Sequence, residues 1–259
     1  MISIIMADES GKKKKIRQGA AILFWILIWQ AASAALGQEI LLVSPMTVLK
    51  RLAQLAVQGV FWAAAGFSVI RIMAGFLSGM TAGILFAAFS AGSSWIRALV
   101  TPAVLTIKAI PVASFVILIL IWVPSENLSV VISFLMAFPV IYTSVLKGIE
   151  STDEKLLEMA RVFRLSFGKR IRYIYVSQVI PFFSSSCSVA LGLCWKAGVA
   201  AEVIGIPDGS IGERLYQAKV YLDTPDLFAW TIVIILLSLV FEKVFLAFIR
   251  LGVRKLERL

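Results

Sequence analysis

The sequence predicts an all-α polytopic membrane protein with six spans, and three observations carry that prediction. The chain of 259 residues is 60% hydrophobic, with a mean hydropathy of +0.93, well above a soluble globular composition. Its apolar residues fall in runs long enough to cross a bilayer. Its 25 Lys and Arg lie mostly in short segments between those runs. The net charge of +10 therefore speaks for membrane topology and against nucleic-acid binding.

Residues 1–18 form a basic head with Lys12 to Lys15 and Arg17, and 19–259 form one membrane domain. Gly19 to Leu36 is the first apolar run. A signal peptide shares its order of basic head, apolar core and small residues (Ala31 to Ala35). Its length of about 18 residues suits an uncleaved first helix instead. Ser44-Pro45 reads as a helix start, with proline at the first helical position. Val48, Leu52, Leu55 and Val60 then give a loose stripe, suited to a helix on the membrane surface. Phe61 to Ser90 is too long for one upright span, which predicts an interfacial first part and a core span from Val69 to Ser90. Gly75, Gly79 and Gly83 recur every four residues, with Ala87 continuing the row. Small residues at that spacing admit a second helix at close range, within the subunit or across a dimer.

Ala98 to Val123 is the third run, interrupted by Pro102, Lys108 and Pro111, and proline inside a span kinks or divides it. Pro124 to Asn127 reads as a tight turn. Leu128 to Leu146 is the fourth span, with Pro139 inside it. Val179 to Ala200 is the fifth. Glu202 to Asp226 is a polar connection whose Gly205, Pro207-Asp208-Gly209 and Gly212 mark turns. Leu227 to Ile249 is the sixth span, and Arg250, Arg254, Lys255 and Arg258 form a basic tail.

With six spans both ends share a side. The head, the Ala91–Arg97 turn, the polar segment before the fifth span and the tail hold 17 Lys and Arg; the other side holds Lys50, Arg51, Arg214 and Lys219, so 4. That bias puts both termini and the polar segment in the cytoplasm.

Glu150 to Pro181 is the longest strongly polar stretch. Ser151 with Glu154 fits a capping box, and Asp153 and Glu154 load the first turn with negative charge. Leu156, Leu157, Ala160 and Phe163 fall on one helical face, with Lys155, Glu158 and Arg161 largely elsewhere. Ser166 could start a second short helix with Phe167, Ile171 and Ile174 as its stripe. Periodicity leaves two readings open: a solvated hairpin between spans, or a docking surface.

No chemistry of an enzyme is visible. Histidine is absent, and no Gly-rich phosphate loop occurs. Cys187 and Cys194, about 10 Å apart along one helix, are too far apart for a disulfide. With so few thiols a metal site is not expected.

Glu158-Met159-Ala160, Arg161-Val162-Phe163, Arg164-Leu165-Ser166 and then Pro181 resemble the cytoplasmic E-A-A loop of ABC-importer permeases, here spanning about 148–176. The resemblance extends through Leu42-Val43-Ser44-Pro45, Ile107 to Pro111, Ala190 to Lys196 and Ala200-Ala201-Glu202, in the flavour of nitrate, sulfonate and taurine permeases. Arg164 stands where the family usually has glycine, and Ser177 where it usually has a first proline; Met159 replaces an alanine. Without glycine, the break after the first helix must form another way or sit one or two residues later.

The resemblance implies a type I importer permease fold in a bacterial cell membrane. It implies a permease homodimer, two copies of an ATP-binding subunit and an extracytoplasmic solute-binding protein. This chain would bind no cofactor, because ATP and magnesium belong to the partner ATPase. The residues at 150–176 that would couple to that ATPase are Leu156, Leu157, Glu158, Ala160, Arg161, Phe163, Arg164 and Ser166.

Intramembrane ionisable groups tend to face a bundle interior or a water-filled cavity. Lys108 with Pro111, and Trp195, Lys196 and Glu202, are thus the candidate translocation pathway. The two lysines favour a small anionic solute, nitrate-, sulfonate- or taurine-like, or a vitamin precursor. Alternatively each lysine snorkels, or Lys196 pairs with Glu202. Two other functions are weighed beside transport by ATP. A self-sufficient secondary transporter commonly shows internal repeats, and none is evident. A non-transporting membrane scaffold is the other.

Overall fold

A computed structural model describes the backbone of residues 11–257 and the side chains of 16–253. Lys12 to Lys15, Arg254, Lys255 and Arg258, which enter the charge balance, lie outside the described side chains. The described residues form helices and no strand: α1 Gly11–Leu36, α2 Pro45–Ala56, α3 Gly59–Gly92, α4 Ser94–Ala109, α5 Val112–Ile119, α6 Ser125–Glu150, α7 Glu154–Val162, α8 Phe167–Arg170, α9 Val176–Gly205, α10 Ile211–Val220 and α11 Thr224–Glu257. Five helical stretches are long and apolar enough to cross a membrane, or six if α4 and α5 count as one bent span.

The core is a three-helix pack of α3, α6 and α9. Gly75, Gly79 and Gly83 make it possible. A Cβ on Gly79 would lie 2.8 Å from the Phe134 carbonyl oxygen and 2.9 Å from Ala137 Cβ. One on Gly83 would lie 3.0 Å from Ile141 Cβ. The glycine row is therefore used inside the subunit, against α6, and lets two backbones meet at near-contact distance. Ile72, Phe76, Ile141, Leu191 and Trp195 fill the space around it.

Several boundaries differ from those the sequence suggests. The α3 helix is continuous from Gly59, about 51 Å long at 1.5 Å per residue. No proline interrupts Phe61 to Ser68, and Phe61, Ala64, Ala65 and Ser68 are buried against the rest of the chain. The third run is divided, not merely kinked: α4 and α5 meet at 105°. Pro102 is carried inside α4, whereas Pro111 opens α5. The residue before it, Ile110, is held in the extended region at φ −80°, ψ 131°, as the steric demand of a following proline requires. The next turn lies at 120–122, and Pro124 to Asn127 instead starts α6.

The α2 helix begins as expected, with the Ser44 hydroxyl accepting from Thr47 N–H. It does not lie free on a surface. Val48 and Leu55 pack with Phe61, Ile211, Ala229 and Trp230, while Val60 points away. Arg51 pairs with Asp226 at 2.5 Å, a bond that holds its pKa above the usual value. The α1 helix is held to this end by Trp29 Nε1 donating to the Val43 carbonyl at 3.0 Å.

Candidate functional site

The loop after α6 sits at the opposite end of the bundle from Arg51. Its first turn is not the capping box expected at Ser151. Ser151 still belongs to the last turn of α6, and its hydroxyl donates to the Lys147 carbonyl at 2.7 Å. Asp153, in extended backbone, caps α7 by accepting from Lys155 N–H at 2.9 Å. An extended residue with a short acceptor side chain is what an N-cap needs. An ion pair between Arg97 and Glu150 ties the start of α4 to the end of α6 beside this loop.

The end of α7 corrects a second expectation. The break is neither displaced nor made by another device; Arg164 itself adopts φ +51°. Leu165 N–H donates to the Ala160 carbonyl at 2.9 Å and Arg164 N–H to the Arg161 carbonyl at 3.0 Å. That is a Schellman closure with arginine at the position glycine normally fills. Beyond it no separate second helix forms. Ser166 stands at the start of α8 but makes no side-chain cap. The chain then runs through a π turn, Ile171–Tyr175, straight into α9.

The faces of the loop are also distributed differently from the sequence stripe. Ala160 has 0% exposure, and Leu156 and Leu157 are half-buried. These three face their own chain. Phe163 is 71% exposed and stands with Val162 (78%) and Phe167 (73%) on the outer surface, beside Met159. Glu158, Arg161 and Arg164 are exposed around them. Val162 and Phe167 were not singled out as docking residues, because helical periodicity groups residues by face without saying which face meets the chain.

The candidate pathway residues separate. Lys108 and Pro111 are exposed at the α4–α5 bend. Lys108 Nζ lies 3.4 Å from Thr143 Oγ1 on α6. It makes no ion pair among the described residues. Trp195 is buried against Phe241, ring centroids 5.6 Å apart, and packs in the core of the chain. Lys196 is exposed and does not pair with Glu202.

Glu202 is fully buried and belongs to a junction instead. Its Oε2 accepts from Ser68 Oγ at 2.6 Å and from Gly212 N–H at 3.3 Å. Ser68 Oγ in turn accepts from Ile211 N–H at 3.0 Å. A carboxylate and a hydroxyl thus satisfy the free N–H groups that begin α10, where the helix dipole also favours negative charge. The stretch expected as a polar connection contains this helix, and α9 extends to Gly205 to reach it. Gly212 is obligatory here: a Cβ would lie 2.5 Å from Val203 N.

The fold is thus a helical bundle with membrane-length helices and an outward-facing apolar loop at one end. The chain belongs to the family of binding-protein-dependent transport system inner membrane components, matched over residues 79–258. Such permeases are transporter components, not enzymes, and act with an ATP-binding subunit and a solute-binding protein. The chain is similar to the aliphatic sulfonates transport permease protein SsuC of Bacillus subtilis strain 168, 25% identical over 233 residues, covering 89% of this chain and 83% of that one. It is similar to the taurine transport system permease protein TauC of Escherichia coli K12, 23% identical, covering 89% and 82%. The nitrate import permease protein NrtB of Synechococcus elongatus is 26% identical, covering 75% and 73%. In fold it resembles the inward-facing MetNI methionine ABC transporter, with TM-score 0.54 and 16% identity over 76% of this chain and 97% of that one. An amino acid ABC transporter also gives TM-score 0.54, at 18% identity over 80% and 96%.

Proposed function

We propose that two copies of this chain form the translocation pathway of an ATP-driven importer for a small anionic solute of the sulfonate or nitrate class. Each copy couples to one ATP-binding subunit through the loop at 150–167. The observation that carries the coupling is the outer face of Met159, Val162, Phe163 and Phe167, four apolar side chains on a hydrogen-bonded loop that this chain does not cover. A partner cleft that buries them would gain the apolar contact a hot spot needs. Glu158, Arg161 and Arg164 supply the polar rim.

Both termini and the loop are cytoplasmic on this reading, from the distribution of Lys and Arg. ATP and magnesium bind the partner, and hydrolysis occurs there. Closure of the ATPase pair moves α7 as a rigid lever. Because Glu150 is joined to Arg97, the displacement reaches α4 as well as α6. Lys108 at the α4–α5 bend and Lys196 on α9 are exposed cations without a carboxylate partner among the described residues, and relatives named for sulfonate, taurine and nitrate transport agree with an anionic cargo.

The test is reconstitution of the full chain with its ATP-binding subunit and solute-binding protein. ATP hydrolysis stimulated by a sulfonate or nitrate is expected. Lys108→Ala and Lys196→Ala are expected to reduce uptake while leaving assembly intact. Hydrolysis indifferent to every anion, with unaltered uptake in both variants, would remove the anionic assignment.

A further inference from the structure

An apolar groove lies at the loop end of the bundle, apart from both the loop's outer face and the Lys108 bend. Its volume is about 420 Å³, within the roughly 300–1,000 Å³ of small-molecule sites. Four helices line it: Ile84 and Ala88 from α3, Ile149 from α6, Val179 and Phe183 from α9, and Val253 from α11. Tyr175 is the one lining residue whose side chain carries a polar group. A solute of the anionic class has nothing to bond there. A protein surface would bring polar groups that need partners, about one hydrogen bond per 100–200 Å², and the wall offers almost none.

The residues next in sequence to the lining are of the opposite character. The π turn Ile171–Tyr175 stands at the groove, contributing Ile171 and Tyr175 to its lining. Lys169 and Arg172 flank Ile171 and are exposed. Arg170 keeps its Nε buried with no hydrogen-bond partner. From Met159 to Ala201 the chain carries no Asp or Glu at all, so no carboxylate from this helix offsets these cations. On α11 the lining residue Ile249 is followed by the exposed Arg250. A hydrocarbon wall with Arg172 and Arg250 next in sequence to lining residues, and with the neighbouring Glu150 already paired to Arg97, matches an acyl chain joined to an anionic headgroup. Basic pockets between membrane helices bind such headgroups.

We propose that this groove binds the acyl chain of an anionic phospholipid, with Arg172 and its basic neighbours at the phosphate. Bound there, the lipid joins α3, α6 and α11 to the segment that enters α9 from the loop. The site requires neither the anionic solute nor the orientation of the termini.

The full chain in nanodiscs of phosphatidylcholine mixed with phosphatidylglycerol tests it, with retained lipid read by native mass spectrometry. The expected result is one phosphatidylglycerol retained per chain in preference to phosphatidylcholine. Arg172→Ala, at an exposed site that should not disturb folding, is expected to lower that preference about fivefold, the value of one basic contact near a lipid surface. Ala88→Trp, which fills the groove, is expected to abolish retention of both lipids. The proposal is overturned by equal retention of the two lipids in the wild-type chain, or by an unchanged preference in Arg172→Ala. Efficient cross-linking of Ile180→Cys between two copies would also overturn it, since a second copy would then cover the groove.

Discussion

The Glu202 junction and the 150–167 loop are both places where a helix starts or stops amid polar residues, yet they end differently. At the junction, Ser68, Glu202 and the first N–H groups of α10 close on one another, and Ile211 is fully buried. At the loop the backbone is equally well closed, by Asp153 at one end of α7 and the Arg164 turn at the other. Its apolar side chains are not closed over. Val162, Phe163 and Phe167 face outward. The junction's backbone N–H groups are met within one chain, and of the Glu202 carboxyl only Oε1 is left buried without a partner. The loop is finished in its backbone and unfinished in its surface, which is the state of a preorganised docking element. Binding to it costs little ordering entropy.

The comparison can be broken most severely at Gly212. Gly212→Val drives a side chain into the α9 backbone and should cost about 3 kcal/mol or more. A sharply lower Tm of the purified chain, or its loss from membranes, is expected; unchanged thermal stability would mean α10 does not pack as described. Glu202→Ala comes next. It leaves Ser68 Oγ and Gly212 N–H without their buried acceptor, at about 1–3 kcal/mol for each group left unpaired. Glu202→Gln should be milder, because its amide oxygen can still accept from both. Equal thermal shifts in the two variants would contradict the junction geometry.

Phe163→Asp sharpens the other half. It should leave Tm unchanged and weaken capture of the ATP-binding subunit by about 2 kcal/mol, roughly thirtyfold. Normal co-purification would place the contact elsewhere. Arg164→Gly should have the smallest effect, a gain of about 1 kcal/mol from relieving the left-handed conformation. Capture of the ATP-binding subunit should be undiminished. Weakened capture would instead show that the arginine itself touches the partner.

Much of this was legible in the sequence because it depends on neighbours along the chain. The Gly75–Gly79–Gly83 row announced a close helix approach, and Pro111 announced a divided run. The family pattern located the loop. What could not be read was which surface each face meets. The stripe of Leu156, Leu157, Ala160 and Phe163 is a correct helical face, but three of its members turn inward, and Val162 and Phe167 take the outer place. Glu202 looked like a pathway residue because its partner Ser68 is 134 positions away. The packing of Trp195 was hidden for the same reason, since Phe241 reaches it from α11. Arg164 shows a different limit. Glycine is the cheap residue for a positive φ, but a closed hydrogen-bond pattern can hold arginine there at modest cost.

The most direct measurement is hydrogen–deuterium exchange of the full chain in nanodiscs, with and without its ATP-binding subunit. Amides of 156–168 should become more protected when the subunit is added, while those of 202–213 should be protected equally in both states. Unchanged exchange across 156–168 on formation of the complex, or a large rise in protection at 202–213, would contradict the division between a loop completed by a partner and a junction completed by the chain itself.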